Sequence, residues 1–361
     1  MAGAGTPQVV IAGIGMLPVG EHWQLSLRNL AVQAIRLALA DAPEVGRPQA
    51  LFIGSMLSSS ASHQANMAAL VAEYANLVGI EGMTVEAAEA SSGAALRQAQ
   101  LAIQSGFIDS AIVLGVEKVT DYPSQDLDAL IARSLDSDYE AAVSLTPTGK
   151  AALLMQAYMA EFSPHPDALA GFAVLAHSNA IANPLAMFRK EISVQSYLNA
   201  AQAVKPFNTY DLAPYADGAA ALVLTRADKL PDHPSHPVVR IAASSLISGR
   251  LALHDRTDPL FFEAAAVSVQ EACKAAGLTI ADMDFFEYHD ATTLHALLSL
   301  EAAGFAHRGQ AWQLALNGTL SHNGALPCVT MGGCKARGYP LGASGAYQLA
   351  EAVLQLRGEA G

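Results

Sequence analysis

A glycine-rich loop near the end of the chain, residues 332–346, has the composition of a ligand-binding turn. Its glycines and Pro340 delay the start of a helix, and apolar residues at helical spacing begin only after Gly345. The unpaired N–H groups at such a helix start bind anions or a developing oxyanion. The residues that we predict to bind substrate in this loop are Gly338, Gly342 and Ser344.

Tyr339 and Glu89 are the side chains with the clearest potential for chemistry. A phenol has an ordinary pKa near ~10, so Tyr339 is a poor general base at neutral pH and a reasonable hydrogen-bond donor. Glu89 follows an apolar segment, residues 83–88, and precedes Ser91, near which a helical pattern begins. The positive end of that helix would stabilise the carboxylate. Glu89 is therefore either a helix cap or an anionic site residue.

His289 and the cysteines are further candidates. His289 follows a predicted strand, residues 284–288, where a histidine is either structural or catalytic. Cys334 precedes Tyr339 in the loop and is interpreted as a small buried residue, with a nucleophilic role as the alternative. The spacing of Cys273, Cys328 and Cys334 fits neither a zinc site nor a disulfide framework, which predicts no bound metal and a reducing cytoplasm.

Composition limits the classes of partner. The 361 residues are 52% hydrophobic and 15% charged, which is enough for a large core. A net charge of -13 argues against nucleic acid as a partner. The N-terminus lacks the basic and apolar regions of a signal peptide, and no apolar run reaches the ~20 residues of a membrane span. We expect a cytoplasmic protein that does not bind a membrane.

Strands and helices alternate along the chain, which predicts an α/β fold. The predicted strands are residues 8–14, 51–53, 83–88, 111–115, 217–224, 238–242 and 284–288. The predicted helices include residues 25–42, 63–79, 261–277 and 292–303. A Pro- and His-rich linker, residues 231–237, separates two stretches of similar pattern.

The two stretches indicate an internal duplication. Ser92-Gly93-Ala94 recurs as Ser344-Gly345-Ala346, and each run opens a helix that ends at a glycine, Gly106 or Gly358. We predict an N-terminal half, residues 1–230, with a loop lobe at about 117–205, and a C-terminal half, residues 238–361. We expect the second half to lack its last strand, because only three residues follow Gly358.

Three segments resemble the thiolase superfamily, in the branch of archaeal-type acetoacetyl-CoA thiolases and SCP2-type thiolases. Residues 338–345, GYPLGASG, resemble the family's G-H-P-x-G-A-[ST]-G loop, and residues 85–93, VEAAEASSG, resemble V-E-A-A-C-x-S-G. His289-Asp290-Ala291 matches an H-D-A motif. The resemblance implies a thiolase-like duplicated fold of two βαβαβαββ-type halves, packed as a layered α/β/α/β/α core.

The resemblance also identifies departures at the reactive positions. Glu89 stands where the family has its acyl-accepting cysteine, Tyr339 stands where it has a catalytic histidine, and a C-x-G motif is missing. His289 is retained, and in relatives this residue helps to bind a water or the thioester oxygen in an oxyanion hole. The catalytic candidates that the resemblance implies are therefore Glu89, His289 and Tyr339.

These substitutions leave three interpretations of the function. The first is a protein that binds an acyl-CoA through a degenerate site, without Cys-dependent acyl transfer and with no cofactor beyond the coenzyme A thioester. The second is a C–C lyase of retro-aldol or decarboxylase type that acts on an acyl-CoA ester. The third is an ordinary thiolase, an acyl-CoA acyltransferase of lipid metabolism.

The resemblance also implies partners and a geometry. Close relatives are often homo-oligomers and often work beside a protein with an OB fold and a zinc ribbon. If the family fold is present, Glu89 and Tyr339 converge from the two halves. We expect the phenol to donate to the carboxylate at roughly 2.5–3.0 Å.

Overall fold

The computed structural model describes residues 6–361, with the backbone alone at residues 124, 125 and 166. The contacts within the chain group it into two compact units. The first, here called the sheet unit, comprises residues 6–122, 215–244 and 340–361. The second, here called the helical unit, comprises residues 123–214 and 245–339.

The strands and helices lie as follows in the described part of the chain. The strands are β1 Val9–Met16, β2 Ala50–Gly54, β3 Glu81–Val85, β4 Ser110–Glu117, β5 Gln202–Val204, β6 Phe207–Asn208, β7 Gly218–Arg226 and β8 Val239–Arg240. The helices are α1 Leu27–Asp41, α2 Met67–Tyr74, α3 Ser91–Gln104, α4 Ser124–Ile131, α5 Pro147–Phe162, α6 Pro166–Asn179, α7 Val194–Leu198, α8 Glu263–Ala276, α9 Thr293–Ala303, α10 Ala311–Leu316 and α11 Ser344–Arg357.

The sheet unit is built on one mixed sheet with the strand order β3-β2-β4-β7-β1-β8. β2 pairs in parallel with β3 and β4, whereas β7 runs antiparallel to both β4 and β1. The central strands are buried on both faces, which explains their nearly continuous apolar sequences. α1 and α2 cover one face, and α3 and α11 cover the other. The predicted α/β class is confirmed.

The two helices that start at the repeated Ser-Gly-Ala runs, α3 and α11, lie in the sheet unit. Their first turns are adjacent, since a Cβ added to Gly345 would lie 3.4 Å from the Gly93 nitrogen. α3 approaches the sheet closely at Gly54, where a Cβ would lie 2.5 Å from the backbone of Ser92. Glycine on β2 therefore sets how near the start of α3 comes to the sheet.

Two buried carboxylates join the loops of the sheet unit at the ends of its strands. Glu117 accepts hydrogen bonds from the Ser55 hydroxyl at 2.6 Å, from the Met56 and Leu57 N–H groups, and from the Gly342 N–H at 3.2 Å. Asp217 accepts from the N–H groups of residues 22, 119 and 120. Buried carboxylates with this many donors order loops that have no regular structure of their own.

The helical unit buries its own core among α5, α6, α9 and α10, with residues of the loops around Tyr288 and Leu326. Its two-stranded sheet, β5 with β6, is small. Within residues 6–361 no helix has the length and apolar character that crossing a membrane requires. Residues 123–214 group with residues 245–339 in this unit, and the predicted halves stay a prediction.

Two strand predictions in the second half need correction. The strand predicted at residues 238–242 is limited to β8, which joins β1. The strand predicted at residues 284–288 is wrong, because this segment makes only one bridge, Phe286 with Cys328. A strand needs a partner along its length, and this segment meets an irregular loop: Phe286 donates to the Pro327 carbonyl and accepts from the Val329 N–H.

Candidate active site

Glu89 lies on a sharp turn between β3 and α3 in the sheet unit. The preceding residue, Ala88, has φ +48°, a left-handed conformation that is strained for a residue with a side chain. The Ser91 hydroxyl stabilises the turn, since it accepts from the Ala87 N–H at 2.9 Å and donates to the Ala88 carbonyl at 2.6 Å. The Ala88 N–H also donates to the Glu86 carboxylate at 2.7 Å. Strain of this kind often marks a site residue.

The turn presents Glu89 near the positive end of a helix. The N-cap position of α3 belongs to Ala90, whose side chain makes no capping hydrogen bond, and Glu89 precedes it by one residue. Glu89 is half-buried. The dipole of α3 stabilises a carboxylate at this position. The arrangement therefore places a carboxylate side chain at a strand-to-helix turn.

The glycine loop divides between the two units. Gly342 and Ser344 lie in the sheet unit, where the Gly342 N–H donates to Glu117 and its carbonyl accepts from the Ser92 hydroxyl. The Ser344 hydroxyl is buried and has no hydrogen-bond partner among the described residues. Gly338 and Tyr339 lie in the helical unit. Substrate binding by Gly338, Gly342 and Ser344 stays a prediction.

The helical unit brings His289 and Tyr339 together. Their ring centroids are 5.4 Å apart with the planes at 65°, an edge contact. A second imidazole, His295 on α9, lies edge-on to His289 at 5.9 Å. Tyr339 is buried, whereas His289 is partly exposed. These three side chains therefore form one cluster of two imidazoles and a phenol.

The backbone around this cluster is fixed by Asp290. Its carboxylate accepts from the Cys334 N–H at 2.6 Å and from the Lys335 N–H at 3.3 Å. Gly333 makes this approach feasible, because it has φ +53° and any Cβ there would lie 2.6 Å from the Asp290 carboxylate. The Tyr339 N–H donates to the Pro214 carbonyl at 2.9 Å, which fixes the other end of the turn. The loop thus places Tyr339 beside His289.

Buried ionisable groups lie near the cluster, since Lys335 acts electrostatically on His295. Lys335 donates to the Asp211 carbonyl at 2.6 Å, and burial lowers the pKa of its ammonium group. The Asp211 carboxylate accepts from the hydroxyls of Tyr197 and Thr293 at 2.7 and 2.6 Å. Burial, with the neighbouring His289 as the next cause, lowers the pKa of His295 to about 3, so that this imidazole is neutral at neutral pH.

Sequence reasoning did not identify His295, Lys335 and Asp211 as neighbours of the site. The signal available for His295 was its spacing from Thr292, whose hydroxyl lies 2.8 Å from Nδ1 of His295 and also caps α9. The described residues contain no group of three His, Cys, Asp or Glu side chains suited to a metal ion. The approach of Glu89 to Tyr339 stays a prediction.

Comparisons with known proteins agree with the motifs. Residues 9–206 match the family model of the thiolase N-terminal domain, and residues 247–361 match that of a thiolase C-terminal domain-like region. An acetyl-CoA acetyltransferase of Methanothermobacter thermautotrophicus is 36% identical over 354 residues, which cover 98% of this chain and 92% of the relative. The benzoylsuccinyl-CoA thiolase subunit BbsB of Thauera aromatica is 28% identical, with 98% and 90% covered.

Solved structures share the fold. The Ltp2-ChsH2(DUF35) aldolase superposes with a TM-score of 0.83 at 24% identity, covering 98% of this chain and 91% of that one. At this identity the likeness concerns the fold alone. With both family models and an archaeal relative above 30% identity in agreement, the chain belongs to the thiolase superfamily.

Proposed function

We propose that this protein binds an acyl-CoA thioester at a thiolase-type site and performs no acyl transfer through a cysteine. The observation that carries the proposal is the carboxylate of Glu89 on the strained turn before α3. Relatives named for acetyl-CoA and benzoylsuccinyl-CoA support a CoA thioester as the ligand. The retained His289, partly exposed beside Tyr339, supports binding of the thioester group.

The chemistry of Glu89 explains why acyl transfer is not expected. Reversible thioester exchange needs a soft nucleophile with a lowered pKa near a helix end. Attack by a carboxylate would give a mixed anhydride, which is far more activated than a thioester and is hydrolysed. The phenol of Tyr339 does not supply the missing base, because its ordinary pKa lies near ~10.

Acetyl-CoA is expected to leave the protein unmodified. Intact-mass spectrometry after incubation should show no acetyl adduct on the unmodified protein or on Glu89→Cys, because Tyr339 does not deprotonate the new thiol. The double variant Glu89→Cys with Tyr339→His carries both residue types of the family's catalytic pair and is the matched comparison. An acetyl adduct on the unmodified protein, for example at Cys334, would contradict the proposal. Isothermal titration should detect binding of acetyl-CoA, and its absence would contradict the binding part.

A second function, C–C cleavage by a retro-aldol step, is favoured by the contact between His289 and Tyr339. A base would take the proton of a 3-hydroxyl group, whose oxygen then forms a carbonyl as the Cα–Cβ bond breaks. The electron pair passes to the thioester enolate, which is protonated at Cα to give a shorter acyl-CoA. Glu89 is the base in this proposal, and His289 and Tyr339 donate hydrogen bonds to oxygens. One of the fold neighbours is named as an aldolase, which adds support.

This second function has its own assay. A branched 3-hydroxyacyl-CoA is incubated with the protein, and the released ketone and the shorter acyl-CoA are measured by chromatography. We expect Glu89→Gln to lower any such rate by at least ~100-fold, since the base is removed. The exposed Glu73→Gln on α2 is the control and should retain the rate. A rate that survives Glu89→Gln would reject Glu89 as the base.

We also propose the setting in which the protein works. The aldolase that shares this fold is named together with a DUF35 component, which supports a partner with an OB fold and a zinc ribbon for this chain. We further propose that the protein forms a homo-oligomer in the cytoplasm. Size-exclusion chromatography with light scattering, alone and with a co-expressed partner of that class, tests both assemblies.

A further inference from the structure

Arg256 lies in the loop at residues 250–256 of the helical unit, where it donates to two backbone carbonyls. Its Nε is 3.2 Å from the Arg250 oxygen, and its Nη2 is 3.4 Å from the Leu251 oxygen. A guanidinium group has five N–H donors, and these two contacts engage two of them. Arg256 is partly exposed, so the residue is accessible from solvent.

A second cation contacts one of the same carbonyls. Nζ of Lys150 on α5 lies 3.2 Å from the Leu251 oxygen. Lys150 is paired with Glu140 at 2.8 Å, and that carboxylate also accepts from the Leu253 N–H at 2.8 Å. Among the described residues no carboxylate oxygen lies within 4.0 Å of the guanidinium nitrogens of Arg256. In this part of the chain, Lys150 therefore has a counter-ion and Arg256 lacks one.

The surroundings of Arg256 make an anionic ligand favourable. Burial lowers the pKa of Arg256, and the more distant Glu140 opposes this shift only in part. Burial also lowers the pKa of Lys150, and repulsion from Arg256 adds to that shift. A partly desolvated guanidinium without a counter-ion has an unfavourable free energy, which a bound carboxylate would offset. Since the net charge of -13 repels anionic ligands, such a ligand needs a local cation of this kind.

The position of Arg256 relates this cation to the acyl end of the ligand. His295 lies edge-on to His289 at 5.9 Å, and His289 is the residue proposed above to bind the thioester group. Arg256 acts electrostatically on His295, which places it in the neighbourhood of that pair. In an acyl-CoA the pantetheine arm separates the phosphates from the thioester, whereas a carboxylate on a short acyl group stays within a few bonds of it. The anion that fits Arg256 is therefore one on the acyl group.

We propose that Arg256 binds a carboxylate on the acyl group, so that the protein selects CoA thioesters of dicarboxylic acids. The proposal rests on the acyl-CoA binding proposed above and names the class of acyl group. The planar N–H donors of a guanidinium group match the two oxygens of a carboxylate. Succinyl, glutaryl and adipyl groups carry such a carboxylate at increasing distance from the thioester. Arg256 determines specificity in this role, and no bond of the ligand forms or breaks at it.

A purely structural role for Arg256 makes a different prediction. A guanidinium group that only holds the loop through its two carbonyls would affect stability and leave ligand selection unchanged. Arg256→Gln keeps an N–H₂ donor for the loop and removes the charge, whereas Arg256→Lys keeps the charge and removes the planar donors. Arg250→Gln is the matched control, because Arg250 is an exposed arginine of the same loop.

The first experiment uses the unmodified protein and isothermal titration. Succinyl-CoA, glutaryl-CoA and adipyl-CoA are each compared with the thioester in which a neutral carboxamide replaces the free carboxylate. We expect at least one of the three dicarboxylic thioesters to bind roughly tenfold more tightly than its amide, which is the effect of a hydrogen bond between charged groups. Equal affinities within all three pairs would overturn the proposal, and this comparison does not depend on the folding of any variant.

The second experiment repeats the titrations with the variants and adds butyryl-CoA and free CoA. Arg256→Gln should remove the preference for the carboxylate, Arg256→Lys should retain part of it, and Arg250→Gln should retain all of it. A preference that survives Arg256→Gln would reject Arg256 as its source. If Arg256→Gln weakens the binding of butyryl-CoA and of free CoA by one common factor, Arg256 binds a phosphate of the coenzyme and the proposal fails.

The titrations also separate this proposal from the function on which it rests. If butyryl-CoA binds and the dicarboxylic thioesters bind no more tightly than their amides, the selection of a carboxylate is rejected and acyl-CoA binding stands. If no thioester binds the unmodified protein, the proposed function itself fails.

Discussion

Gly54→Ala is expected to lower the free energy of unfolding by about 3 kcal/mol, because overpacking here meets backbone atoms. A Cβ at residue 54 would lie 2.5 Å from both the nitrogen and the Cα of Ser92. No rotamer change relieves this contact, so α3 must move away from β2. Since Glu89 stands at the start of α3, the same movement would disturb the turn that presents its carboxylate.

The stability of Gly54→Ala is measured by urea denaturation, with circular dichroism as the signal. The slope of the unfolding free energy against urea concentration is compared between the variants. Gly93→Ala is the matched control within α3, because a Cβ there would have no atom within 4 Å. Alanine is favoured over glycine in a helix by up to ~1 kcal/mol, so the control should be neutral or slightly stabilised. Equal stabilities of Gly54→Ala and the unmodified protein would contradict the close approach of α3 to β2.

Elements with a strong local pattern were predictable from the sequence. The helix predicted at residues 25–42 is α1, Leu27–Asp41, and the strand predicted at residues 111–115 lies within β4. Helix starts near Gly93 and Gly345 were also predictable, because the Ser-Gly-Ala run and the apolar spacing after it are local signals. The turn that presents Glu89 follows from the same strand-to-helix pattern.

Features that depend on distant partners were not predictable. Residues 284–288 have the composition of a strand, but pairing requires a neighbour, and the loop at 327–329 offers only one bridge. The grouping of residues 123–214 with 245–339 arises from a core shared by helices far apart in the sequence. A periodic pattern shows which face of a helix is buried and not which element covers it.

In the candidate site, too, local motifs were predictable and contacts with distant residues were not. The motifs located Glu89, His289 and Tyr339, and the structure brings the last two into contact. The burial of Lys335 with Asp211 was not foreseen, because a lysine in a loop is usually exposed and its burial depends on tertiary contacts. The contact of Cys334 with His289 also joins residues 45 positions apart, beyond any local signal.

Glu117→Gln is expected to destabilise the protein, and by more at pH 5 than at pH 8. Burial raises the pKa of the Glu117 carboxyl to about 7, although hydrogen bonds from Ser55, Leu57, Met56 and Gly342 oppose the shift. A glutamine keeps one acceptor oxygen and turns an N–H₂ group toward these donors. At pH 5 the carboxyl is protonated and its hydroxyl oxygen still accepts, whereas the amide nitrogen does not, so a buried donor loses its acceptor and the loss should be about 1–3 kcal/mol.

The sign of the pH dependence follows from proton linkage. Because the folded pKa of about 7 lies above the unfolded value of 4.5, the folded state binds more protons between these pH values. The contribution of Glu117 to stability is therefore fully present below pH 4.5 and is lost as the pH rises to about 7, by about 3 kcal/mol in total. Glutamine does not titrate, so Glu117→Gln removes this dependence of the free energy of unfolding on pH. The gap in stability between the two proteins therefore narrows as the pH rises.

Urea denaturation at pH 5, 6, 7 and 8 measures this gap in the free energy of unfolding. The exposed Glu73→Gln is the control, which should leave the pH dependence unchanged. A gap that widens with pH would show that the four donors outweigh burial and that Glu117 is ionised throughout, with its charge stabilising the loops at residues 55–57 and 342.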